Sequence, residues 1–153
     1  MPRLFAISAV LLGLSLGSCV SRPVAPGFGW SFHHEAGEGL KLAYGAPASD
    51  NVVLMMTCHP GSERVNVSLM GGSPQRGLTL DSGGAREHLD GVAVATPGMG
   101  QLLEAYSHPA SGPLARFART GDLNLIDRGR KVALNAAPNE RPGVARFFES
   151  CRA

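Results

Sequence analysis

The sequence contains little charge and few aromatic side chains. Charged residues make up 17% of its 153 residues and aromatic residues 6%, with a single tryptophan. The formal net charge of +2 is too small for the basic surface of a nucleic-acid-binding protein, so no nucleic acid is expected as a partner. The low charge does not indicate disorder, because 44% of the residues are hydrophobic.

Glycine and proline, in contrast, are abundant, with 20 and 11 residues respectively. Together they form about a fifth of the chain, which predicts many turns between short elements and argues against long helical bundles and coiled coils. The length fits one domain with one hydrophobic core and leaves no room for two full-sized domains.

The apolar run near the N-terminus, Leu4–Gly17, is too short to span a bilayer as a helix. Such a helix would measure about 21 Å, whereas the hydrocarbon core of a bilayer is ~30 Å thick. The run follows the positive charge of Arg3. This arrangement is typical of a cleaved signal peptide rather than of a membrane-spanning anchor.

The residues at the end of this run, Leu16-Gly17-Ser18-Cys19, resemble the lipobox of bacterial lipoproteins, in which an aliphatic residue and two small residues precede a cysteine. The resemblance covers residues 1–19. It implies that diacylglycerol is attached to the sulfur of Cys19 and that residues 1–18 are removed. It also implies sorting to the outer membrane, facing the periplasm, because Val20 stands where aspartate favours retention in the inner membrane. The alternative is an ordinary secretory signal, for which no A-x-A-like cleavage site lies nearby.

The cysteine count agrees with this interpretation. Three cysteines would leave one thiol unpaired in a secreted protein. Assigning Cys19 to lipid leaves Cys58 and Cys151, which we expect to form a disulfide in an oxidising compartment. Two buried free thiols are the alternative.

The rest of the chain is predicted to hold a short tether and one domain. Residues 19–27, the lipidated Cys19 and the segment after it, contain Pro23 and Pro26, which favour an extended backbone. Residues 28–153 form a single β-rich domain, because apolar and polar residues alternate with a period of two at 28–32, 40–44, 65–69, 78–80, 92–94, 123–125 and 132–134. Short strands at this spacing predict a mainly β fold, a small antiparallel β-sandwich or partly open barrel.

Three segments receive more specific predictions. The continuously apolar run Val52–Met56 predicts a strand at the centre of the sheet, buried on both faces. The spacing of apolar residues in Met99–Ser107 predicts one short internal helix, bounded by prolines on both sides. Val144–Cys151 predicts a C-terminal helix whose apolar face carries Cys151 and packs on the sheet, where a bridge to Cys58 would hold it.

Two groups of residues suggest metal binding, but neither has the spacing of a known site. His33 and His34 are adjacent in a predicted strand, so their side chains point to opposite faces. The segment Met55-Met56-Thr57-Cys58-His59 contains soft ligands suited to Cu(I), but methionine is also an ordinary core residue, and a disulfide would remove the thiolate of Cys58.

A hydrolase and a charged binding surface are further possibilities. Asp81, Ser82 and His88 have the residue types of a catalytic triad, although Asp81-Ser82-Gly83-Gly84 is also typical of a turn. A basic excess across residues 111–131 predicts an exposed edge hairpin that faces an acidic partner or anionic lipid, or that protects an edge from aggregation. Its positive residues are Arg116, Arg119, Arg128, Arg130 and Lys131.

The sequence therefore favours a small cell-envelope lipoprotein that acts as a non-catalytic binding or structural module. The membrane is its expected partner through the lipid on Cys19, with an envelope protein or an anionic glycan or lipid as a further partner. No catalytic, metal-ligating or cofactor-binding residue is assigned, and no cofactor is expected. The alternatives are a periplasmic metal-binding protein and an envelope hydrolase.

Overall fold

The computed structural model describes residues 22–23, 27–35, 37–71, 76–96, 100–127 and 129–153. The lipobox and Cys19 lie outside these residues. Over these residues the fold is mainly β, with two helices, and its strands are β1 Arg22–Pro23, β2 Gly29–Glu35, β3 Gly39–Gly45, β4 Val52–Cys58, β5 Val65–Met70, β6 Gly77–Ser82, β7 Ala85–Thr96, β8 Gly100–Ser107, β9 Asn124–Asp127 and β10 Arg130–Ala133. The helices are α1 Gly112–Thr120 and α2 Arg141–Arg152.

The strands form one curled sheet, a half-barrel, in the order β1-β10-β9-β6-β7-β8-β5-β4-β3-β2. Nine strands pair antiparallel, and the two-residue β1 pairs parallel with β10. β1 falls inside the segment predicted as a tether, so part of that segment belongs to the sheet. The long strand β7 changes partner along its length: Ala85–Asp90 pairs with β6, and Gly91–Thr96 pairs with β8. The predicted antiparallel, partly open β fold is confirmed.

The inner face of the sheet carries the hydrophobic core. In β4, Leu54, Met56 and Cys58 point inward and are buried, whereas the outward-pointing Val53 and Met55 are only half-buried. The prediction that this strand is buried on both faces was therefore wrong. β4 lies between β3 and β5 and has one solvent-accessible face.

The C-terminal helix forms as predicted. Val144, Phe147, Phe148 and Cys151 fall on one side of α2 and are all buried. This face packs against β2 and β3, and α2 also contacts α1. The rings of Phe147 and Phe148 meet edge to face with their centroids 5.0 Å apart, an arrangement that aromatic pairs favour.

The short internal helix exists, but at α1 rather than at Met99–Ser107. Residues 100–107 are β8, which pairs with β5 on one side and with β7 on the other. Leu103 and Ala105 are buried, whereas Tyr106 is half-exposed, as strand alternation requires. Hydrogen bonds to two neighbouring strands make the strand more stable here than the short helix that the apolar spacing predicted.

Candidate functional site

A cleft of about 340 Å³, lined mainly by residues with polar side chains, opens on the outer face of the sheet. Its lining comes from the ends of β4, β5 and β8, from the loop between β4 and β5, and from the turn between β2 and β3. We call it the outer-face cleft. Its polar lining residues are Glu38, Thr57, His59, Ser62, Arg64, Asn66 and Tyr106.

The floor of the outer-face cleft is a row of residues that strand register places side by side. Thr57 of β4 pairs with Asn66 of β5, and Asn66 pairs in turn with Tyr106 of β8. All three point away from the core, because their neighbours along each strand point inward. The Oδ1 atom of Asn66 is buried and has no hydrogen-bond partner among the described residues. A buried acceptor of this kind is costly unless a ligand or water donates to it.

The loop between β4 and β5 positions a cation over this row. Ser62 Oγ donates to the carbonyl oxygen of Arg64 at 3.1 Å, and the amide N–H of Ser62 donates to the carbonyl oxygen of His59 at 3.0 Å. Between them, Glu63 has a φ of 51°, a left-handed conformation that is uncommon for residues other than glycine. Such strained residues persist where the surrounding structure holds them, and they cluster at binding sites.

Arg64 is exposed, and its guanidinium group lies against an aromatic ring. Its guanidinium carbon lies 3.6 Å from the centroid of the Tyr106 ring, which is a cation–π contact. This contact fixes the position of the charge without neutralising it. Arg64 therefore presents a fixed cation at the mouth of the outer-face cleft.

The acidic group of the cleft is already paired. Glu38 forms an ion pair with Lys41, and the hydrogen bond and attraction from this ammonium group lower the pKa of Glu38 below its ordinary value. Next to it, a Cβ atom on Gly39 would come within 2.8 Å of the carbonyl oxygen of Cys58, so only glycine allows β3 to begin this close to the cleft.

The disulfide braces the cleft from below. The structure joins Cys58 and Cys151 with their Cα atoms 5.8 Å apart, within the ordinary range of disulfides, as the predicted pairing requires. Cys58 ends β4 directly before the loop that carries Arg64. The end of α2 also lies under this loop, since the Cβ position at Gly61 is 3.4 Å from Ala153.

The residues considered for metal binding do not converge. In β2, His33 and His34 pair with Lys41 and Leu40 respectively and so lie on opposite faces. Met56 is buried in the core, and the sulfur of Cys58 is in the disulfide. Among the described residues, no group of three or more His, Cys, Asp or Glu side chains could hold a metal ion.

The residues considered for a hydrolase also do not come together, because each of them is bonded to a different partner. Ser82 is fully buried, and its hydroxyl donates to the main-chain oxygen of Asp122 at 2.6 Å. The ring of His88 lies 2.9 Å from the hydroxyl of Thr79, across the β6–β7 pair. Asp81 points to the opposite face from Ser82 and accepts from Arg86. The three side chains do not form the hydrogen-bonded chain that a triad needs.

The predicted basic edge hairpin is divided between two elements, which corrects that interpretation. Arg116 and Arg119 belong to α1, whereas Arg130 and Lys131 belong to β10. The side chain of Arg128 lies outside the described residues. Arg130 pairs with Asp127 at 3.4 Å, so part of the charge is neutralised within the hairpin. The strand β1 covers the edge of β10.

Sequence reasoning missed Arg64, Asn66 and Tyr106, because they come together only when β8 pairs with β5. Asn66 carried a weak signal, since it is one of the two polar residues, with Ser68, of the alternating segment 65–69. Tyr106 lies within Met99–Ser107, where the spacing of apolar residues predicts a helix and the structure has β8 instead.

No known family matches this chain. It matches no protein-family model, no curated protein and no solved structure. Neither helix of the described residues is long and apolar enough to cross a membrane.

Proposed function

We propose that this protein is a lipid-anchored, non-catalytic binding module of the bacterial cell envelope, anchored through Cys19. The lipobox-like sequence before Cys19 supports the anchor. The bridge between Cys58 and Cys151 supports an oxidising compartment, because disulfides persist there and are rare in the cytosol. Arg22, three residues after Cys19, already pairs with β10, so the anchor would hold the sheet close to the bilayer.

The outer-face cleft is the proposed binding site. The observation that carries this proposal is that one cleft contains both a fixed cation, Arg64, and a hydrogen-bond acceptor without a partner, Oδ1 of Asn66. The cation attracts a carboxylate or phosphate, and the acceptor requires a hydroxyl or amide donor. An anionic, hydroxyl-bearing glycan of the envelope carries both groups.

The anchor is tested by metabolic labelling of the full chain with an alkyne analogue of palmitate. The expected result is a labelled protein in the membrane fraction and loss of the label in Cys19→Ser. The matched control, Cys58→Ser with Cys151→Ser, keeps the label because Cys19 is intact. An unlabelled wild-type protein would contradict the anchor and leave the binding site to be tested separately.

The binding site is tested by calorimetry with two probes that differ in the anion. Muropeptides carry carboxylates, and the core oligosaccharide of lipopolysaccharide carries phosphates. We expect one of them to bind, and Arg64→Gln and Asn66→Ala each to weaken its binding by about tenfold, the loss expected for one charged or buried hydrogen bond. Arg119→Gln, which neutralises an exposed arginine on α1, serves as the matched control. Equal affinities of Arg64→Gln and Arg119→Gln, or no binding of either probe, would overturn the proposal.

A further inference from the structure

The second half of β7 has one paired edge and one edge that, in the described part of the chain, has no partner strand beyond Gly91; we call the latter the open edge. Its residues Gly91–Thr96 pair with β8 on one side. On the other side, the N–H of Gly91 donates to the carbonyl oxygen of Arg76 at 2.8 Å. Because backbone groups alternate along a strand, Ala93 and Ala95 direct their N–H and C=O groups to this same side. No described strand pairs with that edge beyond Gly91.

Between Gly91 and Thr96 this edge carries no charged residue and no proline. Edge strands of soluble proteins usually carry lysine, an inward-pointing charge, a proline or a bulge. Here the sequence has no charged residue between Asp90 and Glu104. Two apolar side chains are left in solvent, with Val92 68% and Val94 42% exposed. The edge is therefore able to accept another uncharged strand without burying an unpaired charge.

We infer that this edge pairs with the same edge of a second copy of the chain, giving a two-fold symmetric dimer with a continuous antiparallel sheet. The order of side chains in Val92-Ala93-Val94-Ala95-Thr96 is nearly the same when the segment is taken from either end, because threonine and valine are both β-branched and similar in size. In an antiparallel strand pair around a two-fold axis, the residue on the axis faces the same residue of the second copy. Residues at equal distances before and after it face each other, so the two halves of the segment should be similar in shape.

The available backbone groups fix the register. The N–H of Gly91 is already bonded, and the groups of Ala93 and Ala95 on this side have no partner strand among the residues that the structure describes. Ala93 of one copy then pairs with Ala95 of the second copy, and the reverse pair is equivalent, giving about four hydrogen bonds. Val94 lies on the two-fold axis and faces Val94 of the second copy, while Val92 faces Thr96. Cross-strand pairs of β-branched residues stabilise a sheet.

A second copy fits this edge better than an unrelated peptide for two reasons. Self-pairing of an uncharged strand brings no like charges together, and a symmetric strand satisfies the register of both copies at once. The inference does not depend on the lipid anchor or on the outer-face cleft, because neither contains a residue of this edge.

Cysteine cross-linking of the full chain in intact envelopes tests the register. Residues that face each other in a pair without hydrogen bonds have Cα atoms about 4.5 Å apart, within disulfide range. We expect Val94→Cys to form a covalent dimer on a non-reducing gel. The control Asn139→Cys places an exposed cysteine in the turn before α2, away from this edge. Equal cross-linking of the two variants would overturn the inference.

The mass of the protein purified in detergent provides a second test. We expect the mass of a dimer for the wild-type chain and for Val94→Ile. Val94→Lys should have the mass of a monomer, because the two lysines would bring like charges together on the axis. Val94 is solvent-exposed, so the lysine variant should keep the circular dichroism spectrum of the wild type. A wild-type monomer, or a dimer that survives Val94→Lys, would contradict the proposed interface.

Discussion

The indole Nε1 of Trp30 donates a hydrogen bond of 2.6 Å to the main-chain carbonyl oxygen of Leu134, 104 residues further along the chain. Trp30 belongs to β2 at one end of the curled sheet, and Leu134 directly follows β10 near the other end. Both residues are buried. This single contact therefore joins the two ends of the sheet across the core.

Replacing Trp30 with phenylalanine should weaken this closure. Trp30→Phe leaves the buried carbonyl oxygen of Leu134 without its donor and removes part of a ring that packs on Tyr44 and Phe117. The combined loss should lower the free energy of unfolding by about 2 to 4 kcal/mol. Urea denaturation followed by circular dichroism measures it. Phe28→Leu, at a half-buried position beside Tyr44, is the control and should cost less. Equal losses in the two variants would contradict the role of the hydrogen bond.

The disulfide should contribute strongly to stability because it closes a long loop. Cys58 and Cys151 are 93 residues apart, and the chain-entropy model gives about 4.5 kcal/mol for such a loop. The double variant Cys58→Ala/Cys151→Ala should therefore unfold at a much lower urea concentration than the wild type. Cys19→Ser, which leaves the pair intact, should match the wild type. An unchanged midpoint in the double variant would show that the bridge does not restrict the unfolded chain.

Alkaline pH should destabilise the domain through Tyr44. Burial raises the pKa of Tyr44 above its ordinary value of 10.0, and the negative charge of Glu140 raises it further. The native state thus holds this proton at a pH where the unfolded chain releases it. The corresponding stability is complete below the ordinary pKa and is lost as the pH rises through the raised pKa.

The measurement is the thermal midpoint as the pH is raised through 10.0, the ordinary pKa of tyrosine. Tyr44→Phe should lose less stability over this window than the wild type, because phenylalanine has no proton to release. Tyr106→Phe changes the only other tyrosine, which is half-exposed, and should follow the wild-type curve. Parallel curves for all three proteins would refute the assignment to Tyr44.

A buried carboxylate on the outer face should also be important for stability. Asp81 is 3% exposed and lies 3.3 Å from Arg86 and 3.5 Å from Lys131. Asp81→Asn keeps the shape but leaves two cations without their anion. Because both cations are more than a third exposed, water screens part of the loss, and we expect a cost of about 1 to 2 kcal/mol.

Salt provides the check on this electrostatic origin. The difference between Asp81→Asn and the wild type in urea denaturation should shrink as the ionic strength rises. Glu38→Gln makes the same chemical change in the exposed pair with Lys41 and should have a smaller effect. A cost for Asp81→Asn that does not respond to salt would indicate packing rather than charge.

The parts of the fold that could be predicted are those whose pattern matches one geometry only. Alternation at 40–44 and 65–69 has no helical interpretation, and the four apolar positions of α2 have no strand interpretation. Residues 100–107 fit both patterns. The adjacent Leu102 and Leu103 can share one face of a helix, and they can equally point to the two opposite faces of a strand. Only pairing with β5 and β7, which are distant in sequence, decides between them.

Helix α1 had local signals that the charge pattern concealed. Pro113 lies in its first turn, Gly121 follows its end with a φ of 76°, and Leu114 and Phe117 share its buried face. Proline at the start and glycine just past the end are typical of a short helix. The arginines of this segment pointed instead to an exposed hairpin, because charge alone does not distinguish a solvated helix face from a strand edge.

The candidate site could not be predicted, because no segment carries it alone. Arg64 lies in a loop whose shape depends on the strained backbone of Glu63, and its partner Tyr106 is on a strand that pairs only in the folded sheet. Residues that meet through strand register leave no fixed spacing in the sequence.

The contact between Trp30 and Leu134 also joins residues that are far apart in sequence, which affects folding. Trp30 precedes Leu134 by 104 residues, so in a chain that emerges N-terminus first the early strands wait with one end of the sheet unclosed. Domains dominated by such distant contacts fold slowly, in roughly milliseconds to seconds. During this interval the core-facing side of β2 is exposed to other chains. The newly made protein is therefore most vulnerable to aggregation in the period before its last strand pair and C-terminal helix arrive.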